Sequence, residues 1–213
     1  MRHLQLVHQK SVYWPVLVLG SLLLLAATAP FVPASAQDSG LDACLAFDRT
    51  ACNTVLAAEP DNLTALFMRG LAAELEADDA AALKDFDATA AIEPRHFGAQ
   101  LWRHIAAASL NDSREAALTA YLAGAQQLPP WPRVLAELYL GKADAPAVLK
   151  LAQSQPQTAR AEAICAAEYH LGRYASLTGN SAAAMGHFRN ALATGAKHVF
   201  EYQAAARVVD WVR

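Results

Sequence analysis

"YHLGRYASLTGNSAAAMGHFRNALATG", residues 169–195, is the stretch that decides the fold. Leu171-Gly172 is followed by Ala184 twelve residues after the glycine, by Phe188 at sixteen and by Ala191 at nineteen. A catalytic loop has no use for small and large residues at such intervals. Two helices pressed together do: Gly172 and Ala184 let the backbones approach, while Leu171 and Phe188 fill the space between that hairpin and its neighbours.

The arrangement recurs. Gly70 is followed by Ala82 at +12, Phe86 at +16 and Pro94 at +24, where the proline ends the second helix. A third copy, slipped by a residue or two, runs through Trp102, Ile105-Ala106, Ala117, Tyr121, Gly124 and Pro129. Between these landmarks the chain is rich in Ala, Leu, Glu and Gln, with almost no alternating β-branched segment. Breakers fall at Pro60, Pro94, Pro129-Pro130, Pro156 and Gly179-Asn180. The spacing predicts an all-α chain of about ten helices. Its hairpins are expected near 62–94, 97–130, 131–157 (shortened) and 159–195, with a closing helix over 198–212.

The motif resembles the tetratricopeptide repeat. Gly70, Ala82, Phe86 and Pro94 carry the resemblance in one copy, and Leu171, Gly172, Ala184, Phe188 and Ala191 in another. Arg69 and Thr89 depart from the usual apolar residue and alanine. The resemblance implies an α-solenoid of antiparallel helix hairpins with a C-terminal capping helix. "WPRVLAELYLG", residues 131–141, together with the block from Tyr169 to Tyr202, is similar to a narrower group, bacterial envelope proteins of the NlpI type. That likeness implies a non-catalytic adaptor that binds other proteins or peptides and pairs as a homodimer. The family serves many partners, so the fold alone names none. A self-associating assembly factor without client capture is the alternative.

The first 36 residues look like an address. Arg2 and Lys10 precede a 14-residue apolar run, Val16 to Ala29, and Ala34-Ser35-Ala36 offers a small-residue cleavage site before Gln37. The run is short of the roughly 20 residues that span a bilayer. Export with cleavage after Ala36 is the expectation, giving a periplasmic protein with no membrane contact beyond the signal segment. Residues 37–213 then form one helical domain carrying 15 basic against 20 acidic residues, a net charge of −5. That balance argues against nucleic acid as a partner.

Cys44 and Cys52 can pair only if a turn at Asp48-Arg49-Thr50 folds the segment back. In one continuous helix they would lie about 12 Å apart. Cys165, among alanines, is a buried apolar residue rather than a nucleophile.

Phosphate-loop, dinucleotide, zinc-helix and nucleophile-elbow patterns are all missing from the sequence. No catalytic residue, metal site or cofactor is assigned. His198 and Glu201 share a helix face as a solvated pair. If the chain captures a peptide, the first helices of the hairpins supply an inner groove presenting Phe67, Leu71, Glu74, Arg103, Tyr169 and Arg173. There Arg103 or Arg173 would hold a carboxylate. Trp102 belongs to the core or to a hairpin seam.

Overall fold

Five helices end in the same way, and that shared ending organises the molecule. In the computed structural model, which describes residues 34–211, the helices are α1 Ala34–Leu45, α2 Arg49–Ala58, α3 Leu63–Leu75, α4 Asp79–Ile92, α5 Phe97–Ser109, α6 Glu115–Gly124, α7 Pro130–Tyr139, α8 Ala145–Gln153, α9 Gln157–Leu177, α10 Ser181–Ala193 and α11 Phe200–Trp211. The apolar run Val16 to Ala29, expected to be a signal segment, lies outside the described residues.

After α1, α3, α5, α7 and α9 the chain turns through a left-handed residue: Phe47, Ala77, Asn111, Gly141 and Gly179 respectively. The next N–H then reaches back to the helix's last turn, as in Asp78 to Ala73 at 2.9 Å and Asn180 to Ala175 at 2.8 Å. Such closure satisfies carbonyls that a helix end would otherwise orphan. Asp48, Asp78 and Asn180 do a second job, each accepting from the N–H groups of the helix that follows. One residue ends a helix and starts its partner.

Between α5 and α6 this economy fails. The helix starts two residues later, after Arg114, which makes no side-chain cap. The extra residues rotate α6, so Leu118 and Leu122 are its buried positions. Ala117 and Tyr121, expected as packing residues, are only half-buried. Tyr121 instead lies against Phe97 and donates its hydroxyl to the Arg95 carbonyl at 3.1 Å.

The glycine spacing has a direct physical meaning. A Cβ placed on Gly70 would lie 2.6 Å from Cε1 of Phe86, and one on Gly172 would lie 2.6 Å from Cε1 of Phe188. Both rings are buried against the glycine backbone, and Ala82, Ala184 and Ala191 are buried beside them. The residues that break the pattern are also accounted for. Arg69, on α3, forms a two-bond ion pair with Asp85 of α4, at 2.8 and 2.7 Å, and also donates to Asn53 of α2. Thr89 is fully buried because its hydroxyl donates to the Asp85 carbonyl at 2.8 Å. Pro94 is exposed, at the end of α4.

Before these pairs stands one that the spacing did not announce. α1 and α2 pack together and on α3. The disulfide Cys44–Cys52 joins them, with Cα atoms 4.7 Å apart. The turn that permits it is Ala46-Phe47-Asp48, since Arg49 already begins α2.

Helices pack in succession from α1 to α6 and again from α7 to α11, and α1 touches α3, α5 touches α7, α7 touches α9 and α9 touches α11. The described residues are all helical, with a repeat-like succession of helix pairs and no strand. α11 does more than cover the last pair. It also returns to α3. Phe200, at its start, meets Trp102 edge-on with ring centres 5.1 Å apart, Phe47 at 5.4 Å and Tyr169 at 6.1 Å.

Candidate functional site

The odd-numbered helices face one another, and their inner side chains determine whether a groove exists. Leu71 is 5 % exposed and Tyr169 3 %. Both belong to the core that α11 completes. Phe67 is half-buried, its ring 5.7 Å from Phe86 and 4.7 Å from His96. Arg103 points to α4, with Nε 3.6 Å from Asp87, and donates to Gln100. Glu74 and Arg173 pair with each other at 3.1 Å, from α3 to α9. Of the six residues expected to line a groove, Glu74, Tyr169 and Arg173 come together on this face, while Leu71 is core, Phe67 packs on Phe86 and His96, and Arg103 turns to α4. Phe200 of α11 packs its ring among Phe47, Trp102 and Tyr169 on this face.

The floor of this inner face is polar and tightly held. Arg173 Nη2 also donates to Ser109 of α5 at 3.1 Å and lies 3.7 Å from Asp79 of α4. Glu74's side chain is only 3 % exposed. One of its oxygens, Oε1, is buried and accepts no hydrogen bond. Burial pushes the Glu74 carboxyl up to about 7, against the pull of Arg173. Deeper still, Tyr139 and His170 share a contact of 3.0 Å between hydroxyl and Nδ1. Burial pushes His170 down to about 3, so this imidazole is neutral and structural.

Beside α11 the inner face is incompletely filled. A cavity of about 610 Å³ opens there, between the end of α3, the start of α4, and helices α9 and α11. Glu74, Tyr169 and Arg173 line it, together with Asp79, Arg207 and Trp211. The sequence missed the last three. Asp79 reads as an ordinary first-turn acid, and Arg207 and Trp211 lie on a helix read as a cap for the last pair alone. Arg207 donates to the Leu75 carbonyl at 3.1 Å, closing off the end of α3. Trp211 is 92 % exposed at the rim.

Several other titratable groups among the described residues are paired across the structure. His198 lies in the turn before α11, so it shares no helix face with Glu201, and it pairs instead with Glu162 of α9 at 2.9 Å. His187 meets Glu168 at 2.7 Å, and Asn190 donates to the same carboxylate. Nδ1 of His96 accepts from the Ala99 N–H and caps α5. Cys165 is fully buried, and burial pushes its thiol up to about 11, away from the thiolate that nucleophilic attack requires. Among the described residues, no group of three or more His, Cys, Asp or Glu side chains is arranged to hold a metal ion.

No protein-family model matches the chain, and a search of curated proteins returns no match. No described helix is long and apolar enough to cross a membrane.

Proposed function

We propose that the chain is an exported protein-binding module of the tetratricopeptide type, an adaptor or scaffold of the bacterial cell envelope without catalysis of its own. On this reading the helix pairs form an α-solenoid of antiparallel hairpins, curved tightly enough for α11 to cap the last hairpin and plug the inner face. The observation that carries it is the duplicated joint. In both α3–α4 and α9–α10 the phenylalanine ring lies so close to the glycine that an added Cβ would stand 2.6 Å from it. Two further observations support it. The buried Cys44–Cys52 disulfide suits an oxidising compartment, as the leader does. Cys165 and the buried histidines are held in unreactive states.

With the inner face plugged, a partner docks at the mouth beside α11 rather than along an extended groove. A photo-crosslinking residue at position 211 of the full chain, expressed in its envelope, tests this. The expected result is a discrete adduct with another protein, absent when the crosslinker replaces exposed Lys84 of α4. Adducts with the chain's own copies alone would favour self-association instead. No adduct at all would remove the adaptor reading.

A further inference from the structure

We propose that the cavity between α3, α9 and α11 receives a basic side chain, lysine or arginine, presented by an extended segment of the protein partner. This rests on the protein-binding reading above and names the chemistry of its site. Four carboxyl groups line the cavity, those of Glu74, Glu76, Asp79 and Asp210, against two guanidinium groups, Arg173 and Arg207. Most of these charges are already engaged: Arg173 holds Glu74 and Ser109 and lies 3.7 Å from Asp79, Arg207 holds the Leu75 carbonyl, and Glu76 pairs with Arg49, which leaves the buried Glu74 Oε1 as the acceptor without a donor. α3 ends at the mouth, where a helix C-terminus carries partial negative charge, and the opposite charge of the α4 N-terminus there is met by Asp79 in its first turn. An anion would meet this field unfavourably; a cation completes it.

The floor holds a polar group in want of a partner. Glu74, 3 % exposed at its side chain, keeps Oε1 without a donor. A buried carboxylate in that state is costly, and a cation brought near it offsets part of the cost. The walls supply the rest of the recognition. Leu75, Ala204 and Val208 offer apolar surface to a methylene stem, and the Trp211 ring stands at the rim, where a guanidinium or ammonium can lie over its face. About 610 Å³ is room for one long side chain and the backbone that delivers it.

The test titrates the full chain with N-acetyl-arginine amide, N-acetyl-lysine amide and N-acetyl-glutamate amide. The readout is the Trp211 indole N–H in proton–nitrogen spectra, assigned with Trp211→Phe. Both basic amides are expected to saturate at a roughly millimolar Kd, as small fragments do, and the glutamate amide to leave the signal unmoved. Asp79→Asn should weaken the basic amides about fivefold. Because Asp79 also faces Arg173, Trp211→Ala serves as a second variant that cannot disturb the core. It should show a similar loss, read from the remaining shifts around Val208. Equal response to the glutamate amide, no saturation, or tighter binding of spermidine than of either amide overturns the proposal. A crosslinked partner obtained alongside any of these outcomes would leave the adaptor standing and dismiss only this site.

Discussion

Replacing Gly172 by alanine puts the joint between α9 and α10 under direct test. The new methyl carbon would lie 2.6, 2.8 and 3.0 Å from Cε1, Cδ1 and Cζ of Phe188. Carbon pairs settle at about 3.5–4.0 Å, so the ring must retreat by roughly 1 Å. It has nowhere to go: Phe188 is 2 % exposed, and Tyr169 stands behind it with ring centres 5.7 Å apart. Overpacking of this kind costs about 1–3 kcal/mol, and a trapped ring belongs in the upper part of that range. Alanine regains about 1 kcal/mol from helix propensity. The net expectation is a loss of about 1–2 kcal/mol, lowering Tm by about 2–8 °C for a domain of this size. Gly186, on the exposed side of α10, has nothing within 4 Å of a built Cβ. There alanine gains the propensity alone, and Tm should rise by about 2–4 °C. Thermal melts followed by far-ultraviolet circular dichroism compare the two. If Gly172→Ala stabilises as much as Gly186→Ala, the close approach of the two helices is wrong.

Glu74→Gln should change how stability depends on pH. Its folded value of about 7 lies above the ordinary 4.5, so the stability Glu74 contributes is full below about pH 4.5 and is lost as pH rises through about 7. Wild type should therefore lose on the order of 3 kcal/mol relative to the glutamine variant between pH 4.5 and 8.5. Buried neutral His170 acts in the opposite direction but is common to both proteins, so urea melts of the pair isolate Glu74; parallel curves would contradict the assignment. Serine at both Cys44 and Cys52 should cost about 2–3 kcal/mol through the opened loop, with hydrogen exchange rising in α1 and α2 first. Uniform loss across all helices would count against that local role. Ala77, at φ 58, sits where glycine is at ease, so Ala77→Gly should gain up to about 1 kcal/mol. Phe47→Gly, at φ 64, should instead destabilise, because its ring touches Phe200.

Helix boundaries were legible because prolines, asparagines and glycines mark them, and the Gly70–Phe86 and Gly172–Phe188 joints because both halves lie on neighbouring helices within one motif. The α1–α2 pair keeps the glycine, Gly40, but has Cys52 and Leu56 where the other pairs have alanine and phenylalanine; a disulfide joins the helices instead, and its formation depends on a turn that spacing leaves open. The register of α6 escaped because two additional turn residues, Ser113 and Arg114, shift every later position. Least legible was the inner face. The Glu74–Arg173 contact spans 99 residues, and Phe200 meets Trp102 from the far end of the chain. Local periodicity fixes which side of a helix is apolar. It does not say which distant helix will cover it.

On the proposed reading, closure by α11 moves docking from an extended groove to the mouth beside Trp211, and nuclear Overhauser spectroscopy on the full chain tests that closure most directly. Ring protons of Phe200 should show cross-peaks to Trp102 and to Phe47, whose ring centres lie 5.1 and 5.4 Å away. Cross-peaks from Phe200 confined to α9 and α10, in a sample that is fully helical, would mean that the inner face is open and that the account of this molecule is wrong.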